Sequence, residues 1–462
     1  WGFDGFVVSD YTGVAELIAH GVAADLPDAG RLALGAGVDM EMVSTAFLGH
    51  GQDLISQGLL RMARVDDAVR RILRVKFRAG LFDRPYVDLG AEVTEPAPAD
   101  RAKARAVAAR SMVLVKNAGP VLPLSREPGS IAVIGPLGDD TSAPHGAWSG
   151  PGAGRFPAVS VLAGIRAAVP AATVGFAQGT TISGTDTGGF APALAAAAAA
   201  SVVVAVVGES SDLSGEGGSR SDIGLPGVQA ELITALATTL RPTGRPLVVV
   251  VLAGRPLVLG DVLDAASAVL IGWHAGIESG NAVADLLFGA VNPGGKLPVT
   301  FPRRVGQLPI YYGHENTGRP PKPDDRNSSR YLDLPSSPSL EFGFGLSYTS
   351  FEVTGLALDR ASVAASAVRA GRATVEASAV VTNTGDRTGD EVVQLYLHDP
   401  VASLAQPVRR LRGFTRVTLA PGERRTVRFR LGAEDVGFHD NAGRFLVEPG
   451  VIEVYLGTSS SA

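Results

Sequence analysis

Between residues 100 and 310 the chain alternates short, intensely apolar runs with helical patterns. That alternation leaves few folds open. The runs are Ile131–Ile134, Val202–Val207, Leu247–Leu252 and Ala268–Ile271, with a weaker one at Thr173–Ala177. Between them lie Val159–Val169, Ala193–Ala200, Pro226–Leu240 and Glu278–Phe288, which read as helices. Strands without polar alternation are buried on both faces, so this region reads as a mostly parallel sheet with helices on each side. Such sheets carry ligands and catalytic groups in the loops beyond the carboxyl ends of their strands.

The flanking regions follow other rules. Residues 1–83 read as the end of an α/β unit. Phe3–Ser9 and Val38–Met42 suit strands. Val14–Ala24, Asp28–Leu34 and Asp66–Arg78 suit helices, with Gly80 as a C-terminal cap. Residues 84–99, with Pro85, Pro96 and Pro98, read as a linker. Residues 313–345 form a long polar loop. From Phe351 onward the period changes to alternation, in Ala373–Thr382, Glu391–His398, Arg424–Leu431 and Gly450–Leu456. Turn signals at 383–386 and 420–423 separate these strands, the pattern of an antiparallel sandwich. A chain of 462 residues accommodates two or three such domains.

Composition removes several functions. A formal net charge of -5, without a basic stripe, gives no reason to expect a nucleic-acid partner. The absence of cysteine excludes disulfides, thiolate catalysis and cysteine-based metal sites. Thr187–Gly208 has no charged residue, but alanine gives way to valine at Ser201, so it reads as a helix and a strand rather than a membrane span. The chain opens at Trp1 without Met and runs straight into strand-like residues. It therefore reads as part of a longer protein whose upstream part would hold any export signal.

Two acidic residues stand out. Asp10 ends the apolar run GFVVS, where the top of a barrel strand would carry a catalytic carboxylate, although capping the next helix explains it as well. Glu216 lies in SGEGGSR, a glycine-rich loop after Val202–Val207. Taken alone, a solvated surface loop is the better account. Glu209, at the strand's own end, competes with it but reads as structural. Other chemistries fail on spacing: GEGGS lacks the Lys-Ser/Thr of a phosphate loop, GIESG is no nucleophile elbow, and the seven histidines form no metal pattern.

Taken together, the segments resemble family 3 glycoside hydrolases over essentially the whole length, particularly their bacterial periplasmic β-glucosidase branch. The resemblance rests on WGFDGFVVSDY (1–11), ALGAGVDMEM (33–42), RILRVKFRAGLFDRPY (71–86), ARSMVLVKNAGPVLPL (109–124) and VVVAVVGESSDLSGEGGSRSDIGLPGVQ (202–229). It continues through 273–312, FGFGLSYTSF (342–351) and VVTNTGDRTGDEVVQLYLHD (380–399). It implies the C-terminal end of a catalytic (β/α)8 barrel at 1–83 and a linker at 84–99. An α/β sandwich domain carrying the acid/base loop follows at 100–312, then the loop 313–345 and a fibronectin type III-like β-sandwich at 346–462. It assigns Asp10 as nucleophile and Glu216 as acid/base. Tyr11, Trp148 and Arg220 are implied as substrate-binding residues, with Arg220 also suited to holding the loop.

The implied reaction is retaining removal of terminal non-reducing β-D-glucosyl residues by double displacement. Asp10 attacks the anomeric carbon, while Glu216 first gives a proton to the leaving oxygen and then activates water. No metal or cofactor is needed. The implied substrates are β-glucosides or cello-oligosaccharides, the implied compartment is periplasmic or extracellular, and a homodimer is compatible. Two alternatives stay open: a β-xylosidase or other family 3 exo-glycosidase, and an inactive carbohydrate-binding or interaction module. A β-N-acetylhexosaminidase is disfavoured by the presence of GEGGSR.

Overall fold

The computed structural model describes residues 2–91, 95–127 and 129–462. Trp1 of the first segment and residues 92–94 of the expected linker lie outside the described residues. The chain divides into two compact units, Trp1–Thr94 and Glu95–Ala462.

In the first unit β1 (Val8–Tyr11) pairs in parallel with β2 (Met40–Met42), and the helix Leu26–Ala36 forms the crossover. Asp25 caps this helix by accepting from the Asp28 N–H at 2.9 Å, and Pro27 sits in its first turn. The strand begins at Val8 rather than Phe3, because the carbonyls of Phe3, Asp4 and Gly5 accept from Arg71 and Arg74 instead of a neighbouring strand. The pattern at Val14–Ala24 yields helix only over Glu16–Ala19. There Gly21 turns to φ +71°, and the next two N–H groups close back on the Leu17 carbonyl. Helix Met62–Arg78 starts earlier than expected. Gly80, at φ +69°, ends it by donating to Phe77, while Leu81 donates to Lys76.

The second unit is built on a six-stranded sheet. Its strands are β3 (Val113–Asn117), β4 (Ser130–Ile134), β5 (Thr173–Ala177), β6 (Val202–Gly208), β7 (Leu247–Leu252) and β8 (Ala268–Ile271), in the order β3-β8-β7-β6-β4-β5. β4 to β8 are parallel, as their unbroken apolar character requires, and β3 runs antiparallel to β8. The sequence reading did not include β3: its outer end, Lys116 and Asn117, is half-buried and interrupts the apolar run. Pro98 belongs to the helix Pro98–Ser111 rather than the linker, in its first turn, where a missing N–H costs nothing.

Alternate residues of each central strand feed two separate cores. Val204, Val206, Val248 and Val250 pack with helices Val161–Ala168 and Ser279–Leu287 on one face. Val203, Val207, Val249 and Val251 pack with helices Phe190–Ala199 and Gln229–Leu240 on the other. Full burial of one such side chain is worth about 1.5–3 kcal/mol. The strand order reverses around β4: the chain leaves it for β5 on one side, then returns to form β6 on the other. Right-handed crossovers then force the intervening helices onto opposite faces and open a crevice at the carboxyl ends of β4 and β6. Gly135 and Gly208 end these two strands with φ of +121° and +139°. A Cβ there would meet the carbonyl oxygens of Val206 and Leu252 at 2.2 and 1.8 Å.

The β-sandwich follows in the same unit. β9 (Phe351–Leu358), β10 (Val375–Asn383) and β13 (Arg424–Leu431) form one antiparallel sheet. β11 (Gly389–His398), β12 (Arg410–Leu419) and β16 (Glu453–Gly457) form the facing one. A short ladder joins β14 (Phe438–His439) to β15 (Phe445–Leu446). Ala379, Val381, Val393, Val417, Leu419 and Val427 fill the core between the sheets. β12 escapes a reading by pattern, since its first seven residues are half-buried or exposed and include three arginines.

The two helices on the first face touch through glycine. A Cβ on Gly164 would lie 2.1 Å from the Gly280 carbonyl oxygen, and one on Gly280 would lie 2.0 Å from that of Ser160. Alanine ordinarily stabilises a helix by about 1 kcal/mol over glycine, whereas overpacking costs about 1–3 kcal/mol. Gly164→Ala is therefore expected to lower stability by about 1–2 kcal/mol, read as a shift of the denaturant midpoint. An unchanged or raised midpoint would show that the helices separate without cost.

Candidate active site

Asp10 lies near the carboxyl end of β1 and is exposed, with its Oδ1 accepting from the Tyr11 N–H at 2.7 Å. Tyr11 is 62% exposed. The neighbouring carboxylates are engaged differently. Asp39 is buried, accepting from the Val7 N–H at 2.8 Å and from Arg64 at 2.7 Å. Glu41 accepts from the N–H groups of Ala46 and Phe47 at 2.9 and 2.6 Å, holding the start of helix Ala46–Ser56. Of these three, only Asp10 is open to a ligand.

In the second unit the loops beyond β4, β6, β7 and β8 converge at the carboxyl edge of the sheet. Glu216 sits on the tip of the β6 loop, exposed, in a turn closed by the Gly218 N–H donating to the Gly215 carbonyl at 3.1 Å. Its carboxylate has no partner among the described residues. Gly215 adopts φ +92°, and a Cβ on it would fall 2.5 Å from Cβ of Ala147 and 3.8 Å from Cε2 of Trp148. The structure thus brings Trp148, 78% exposed on the β4 loop, against the loop that carries Glu216. Both loops flank the point where the strand order reverses.

Beneath this turn lies an ionic cluster. Glu209 follows β6 directly and has no exposure. Arg220 bonds it at 2.7 Å and Arg255 at 3.1 Å. Arg220 also donates to the Gly224 carbonyl at 3.2 Å. Its guanidinium is thus occupied within the loop, which favours a loop-holding role over contact with a sugar. Glu209 is occupied likewise and is a poor candidate for the acid. Sequence reasoning missed Arg255 and His274. Each follows an all-apolar strand within three residues of its end, a signal that could have found them. His274 lies 3.2 Å, Nε2 to oxygen, from the Glu209 carbonyl, and its Cβ lies 3.1 Å from where a Cβ on Gly146 would stand.

A cavity of about 560 Å³ between the sheet domain and the β-sandwich borders this cluster through His274. Trp273, Lys296, Phe342, Gln394 and Phe414 line it, and no carboxylate does, so it lacks the groups that the expected chemistry needs. Among the described residues no group of three or more potential ligands could hold a metal ion. No helix among the described residues is long and apolar enough to cross a membrane.

Comparison with known proteins agrees with this architecture. The glycosyl hydrolase family 3 C-terminal domain matches residues 112–348, the family 3 N-terminal domain residues 1–75, and a fibronectin type III-like domain residues 391–460. The chain belongs to glycoside hydrolase family 3. It is 43% identical over its full length to a periplasmic β-glucosidase of Salmonella typhimurium, covering 62% of that protein. It is 38% identical over its full length to a β-xylosidase of Formosa agariphila, covering 64% of it. Among solved structures, a mutant β-glucosidase from Listeria innocua in complex with laminaribiose superposes with a TM-score of 0.90 at 34% identity, over 99% of this chain and 62% of that one. The chain therefore spans a little under two thirds of the relatives it matches.

Burial holds the His274 imidazole below its ordinary 6.5, against the opposing pull of the Glu209 carbonyl. Below 6.5 the unfolded chain takes up a proton that the folded chain resists. This contribution to stability is whole above 6.5 and is lost as pH falls through the lower folded value. The melting temperature is expected to drop on acidification from about pH 7, and His274→Asn to remove that part of the slope. An identical slope in the variant would assign it to other groups.

Proposed function

We propose that this chain carries both catalytic carboxylates of a retaining exo-acting β-glucosidase, with Asp10 as nucleophile and Glu216 as acid/base. The observation that carries the reading is the sorting of acidic side chains. Asp39, Glu41 and Glu209 are buried or half-buried and engage backbone N–H groups or arginines, while Glu216 is exposed and Asp10, bonded only to the Tyr11 N–H through Oδ1, is exposed near the carboxyl end of β1. The carboxyl ends of strands and the loops beyond them are where such chemistry operates.

In the first step Asp10 attacks the anomeric carbon while the glycosidic oxygen takes the proton of Glu216 and departs as the aglycone alcohol. In the second step Glu216 removes a proton from water, whose oxygen attacks the same carbon and releases Asp10. Tyr11 and Trp148, both exposed aromatics beside these residues, suit the apolar faces of a glucose ring. β-Glucosides are favoured by the Salmonella relative and by the Listeria enzyme's complexes with laminaribiose and glucose. A β-xyloside activity is the second reading, carried by the Formosa relative. The same Salmonella relative favours a periplasmic location. The division into barrel end, α/β domain and terminal sandwich accords with the family matches, and a homodimer is compatible with all of this.

The test uses the protein as its gene encodes it. Asp10→Asn keeps the side-chain shape and removes the nucleophilic charge, so turnover of aryl β-glucosides should vanish with the fold intact. A 2-deoxy-2-fluoroglucoside should label a peptide containing Asp10. Labelling at Asp39 or Glu41 instead would remove the assignment. Glu216→Ala should slow substrates with poor leaving groups by about 10²–10⁴-fold and activated aryl glycosides far less. Azide should partly restore its rate as a β-glycosyl azide forms. If Glu209→Ala behaves this way and Glu216→Ala does not, the acid is Glu209.

A further inference from the structure

The turn that presents Glu216 is poorly equipped to hold itself. Three of the five residues 214–218 are glycine, two of them at positive φ, +92° at Gly215 and +70° at Gly217. Glycine loses more conformational freedom on ordering than any other residue. One backbone bond within the turn, Gly218 to Gly215, opposes that loss. A general acid must nevertheless meet its leaving oxygen within hydrogen-bond reach.

We propose that Arg255 is the positioning residue of the acid/base loop. It acts through the loop's backbone and does not touch the Glu216 carboxylate. This rests on the reading of Glu216 as acid/base. Arg255 follows β7, a central strand buried throughout, so its backbone starts from the packed interior of the sheet. Its Nη2 donates to two carbonyls that bracket the turn, those of Leu213 and of Gly218, the latter at 2.5 Å. Its Nε donates to the buried Glu209 at 3.2 Å. A guanidinium is a rigid planar fork, so fixing Nε on Glu209 fixes the direction in which Nη2 points. The adjoining Gly254 adds a second anchor: a Cβ there would lie 2.3 Å from the Ser214 Oγ, so the loop rests directly on this segment. Arg220 shares Glu209 but bonds Gly224, beyond the turn, and holds the outgoing chain instead.

The competing account is that Arg255 only neutralises Glu209. The two accounts differ in what a variant loses. Arg255→Ala, Arg255→Lys, Glu216→Ala and the Arg255→Ala/Glu216→Ala double variant are compared in the protein as its gene encodes it, on β-glucosides of graded leaving-group acidity. If Arg255 positions the acid, Arg255→Ala should lose at least about tenfold more rate on poor leaving groups than on activated ones, the signature of impaired proton donation. Azide should partly rescue it, and added guanidinium should restore proton donation. The double variant should lie within about threefold of Glu216→Ala, because residues acting as one unit are not additive. Arg255→Lys keeps the charge beside Glu209 but has no second arm for the carbonyls, so it should show the same signature in weaker form. It serves as the measurement if the alanine variant does not fold. A uniform loss across leaving groups, additive losses in the double variant, or wild-type behaviour of a folded Arg255→Lys would overturn the proposal. If Glu216→Ala itself showed no leaving-group dependence, the acid assignment would fall and this proposal with it. Dependence in Glu216→Ala without it in the Arg255 variants overturns Arg255 alone.

Discussion

The ion cluster around Glu209 is the constraint on which the candidate site depends. A carboxylate with no access to water is expensive, costing several kcal/mol even after relaxation. It is tolerated because two guanidiniums reach it at 2.7 and 3.1 Å and themselves keep about a fifth of their surface. The cluster sits where the apolar sheet ends and the polar loops begin. Below it, β6 and β7 are packed on both faces and admit no polar group. Above it, the chain turns through glycines with little packing of their own. The arginines bond the carboxylate with one arm and loop carbonyls with another, which transfers the rigidity of the sheet to backbone that has none.

A similar logic joins the sheet domain to the β-sandwich. Lys296 meets Glu391 at 2.7 Å, both largely buried, and also donates to the Gly345 carbonyl at 2.8 Å. The buried Gln394 of β11 donates to the Gly343 carbonyl at 3.0 Å and to that of Thr458 at 2.8 Å, and accepts from Tyr396. Asn383, without exposure, donates to the carbonyls of Arg387 and Leu419 and accepts from Thr349 and Gly385. These three buried side chains, Glu391, Gln394 and Asn383, are each answered, as buried polar groups generally are. The segment 313–345, which reads as a long polar loop, is pinned at its end. Leu297 and Phe301 exchange backbone bonds with 340–344, and the two domains form one compact unit.

The five parallel strands were legible because burial on both faces leaves a run with no polar residue, and a sheet of that kind has one arrangement of helices. β3 and β12 were not, because edge position and a half-exposed face allow Lys116, Arg410, Arg412 and Arg416 into the strands. Strand order was beyond pattern altogether. Nothing local in Val202–Val207 says that it neighbours both β4 and β7, so the crevice at the reversal could not be placed in advance. The acidic candidates were legible through family resemblance more than through spacing, since a glycine-rich loop with one acid reads first as ordinary surface. Arg255 and His274 escaped because their meaning lies in Glu209, which is distant in the chain and close only after folding.

The separation of acidic residues into tied and free follows from where each lies relative to a strand end. Asp39 comes just before β2, where its carboxylate faces Arg64 and the incoming Val7 N–H. Glu209 comes just after β6, where the strand's direction carries it under the loop and into the cluster. Asp10 is one residue short of the end of β1, where the register against β2 is irregular, and it is exposed, while Glu216 is lifted seven residues beyond Glu209 onto a glycine turn. One residue of register in β1 would put Ser9 or Tyr11 in the place of Asp10. The Ser9 hydroxyl resists such a slip: it accepts from the Met42 N–H at 2.9 Å and donates to the Asp10 carbonyl, locking the strand to β2 at the residue before the proposed nucleophile. In each unit an exposed carboxylate, Asp10 or Glu216, stands beside a polar group, Ser9 or Glu209, that takes on the structural bonds.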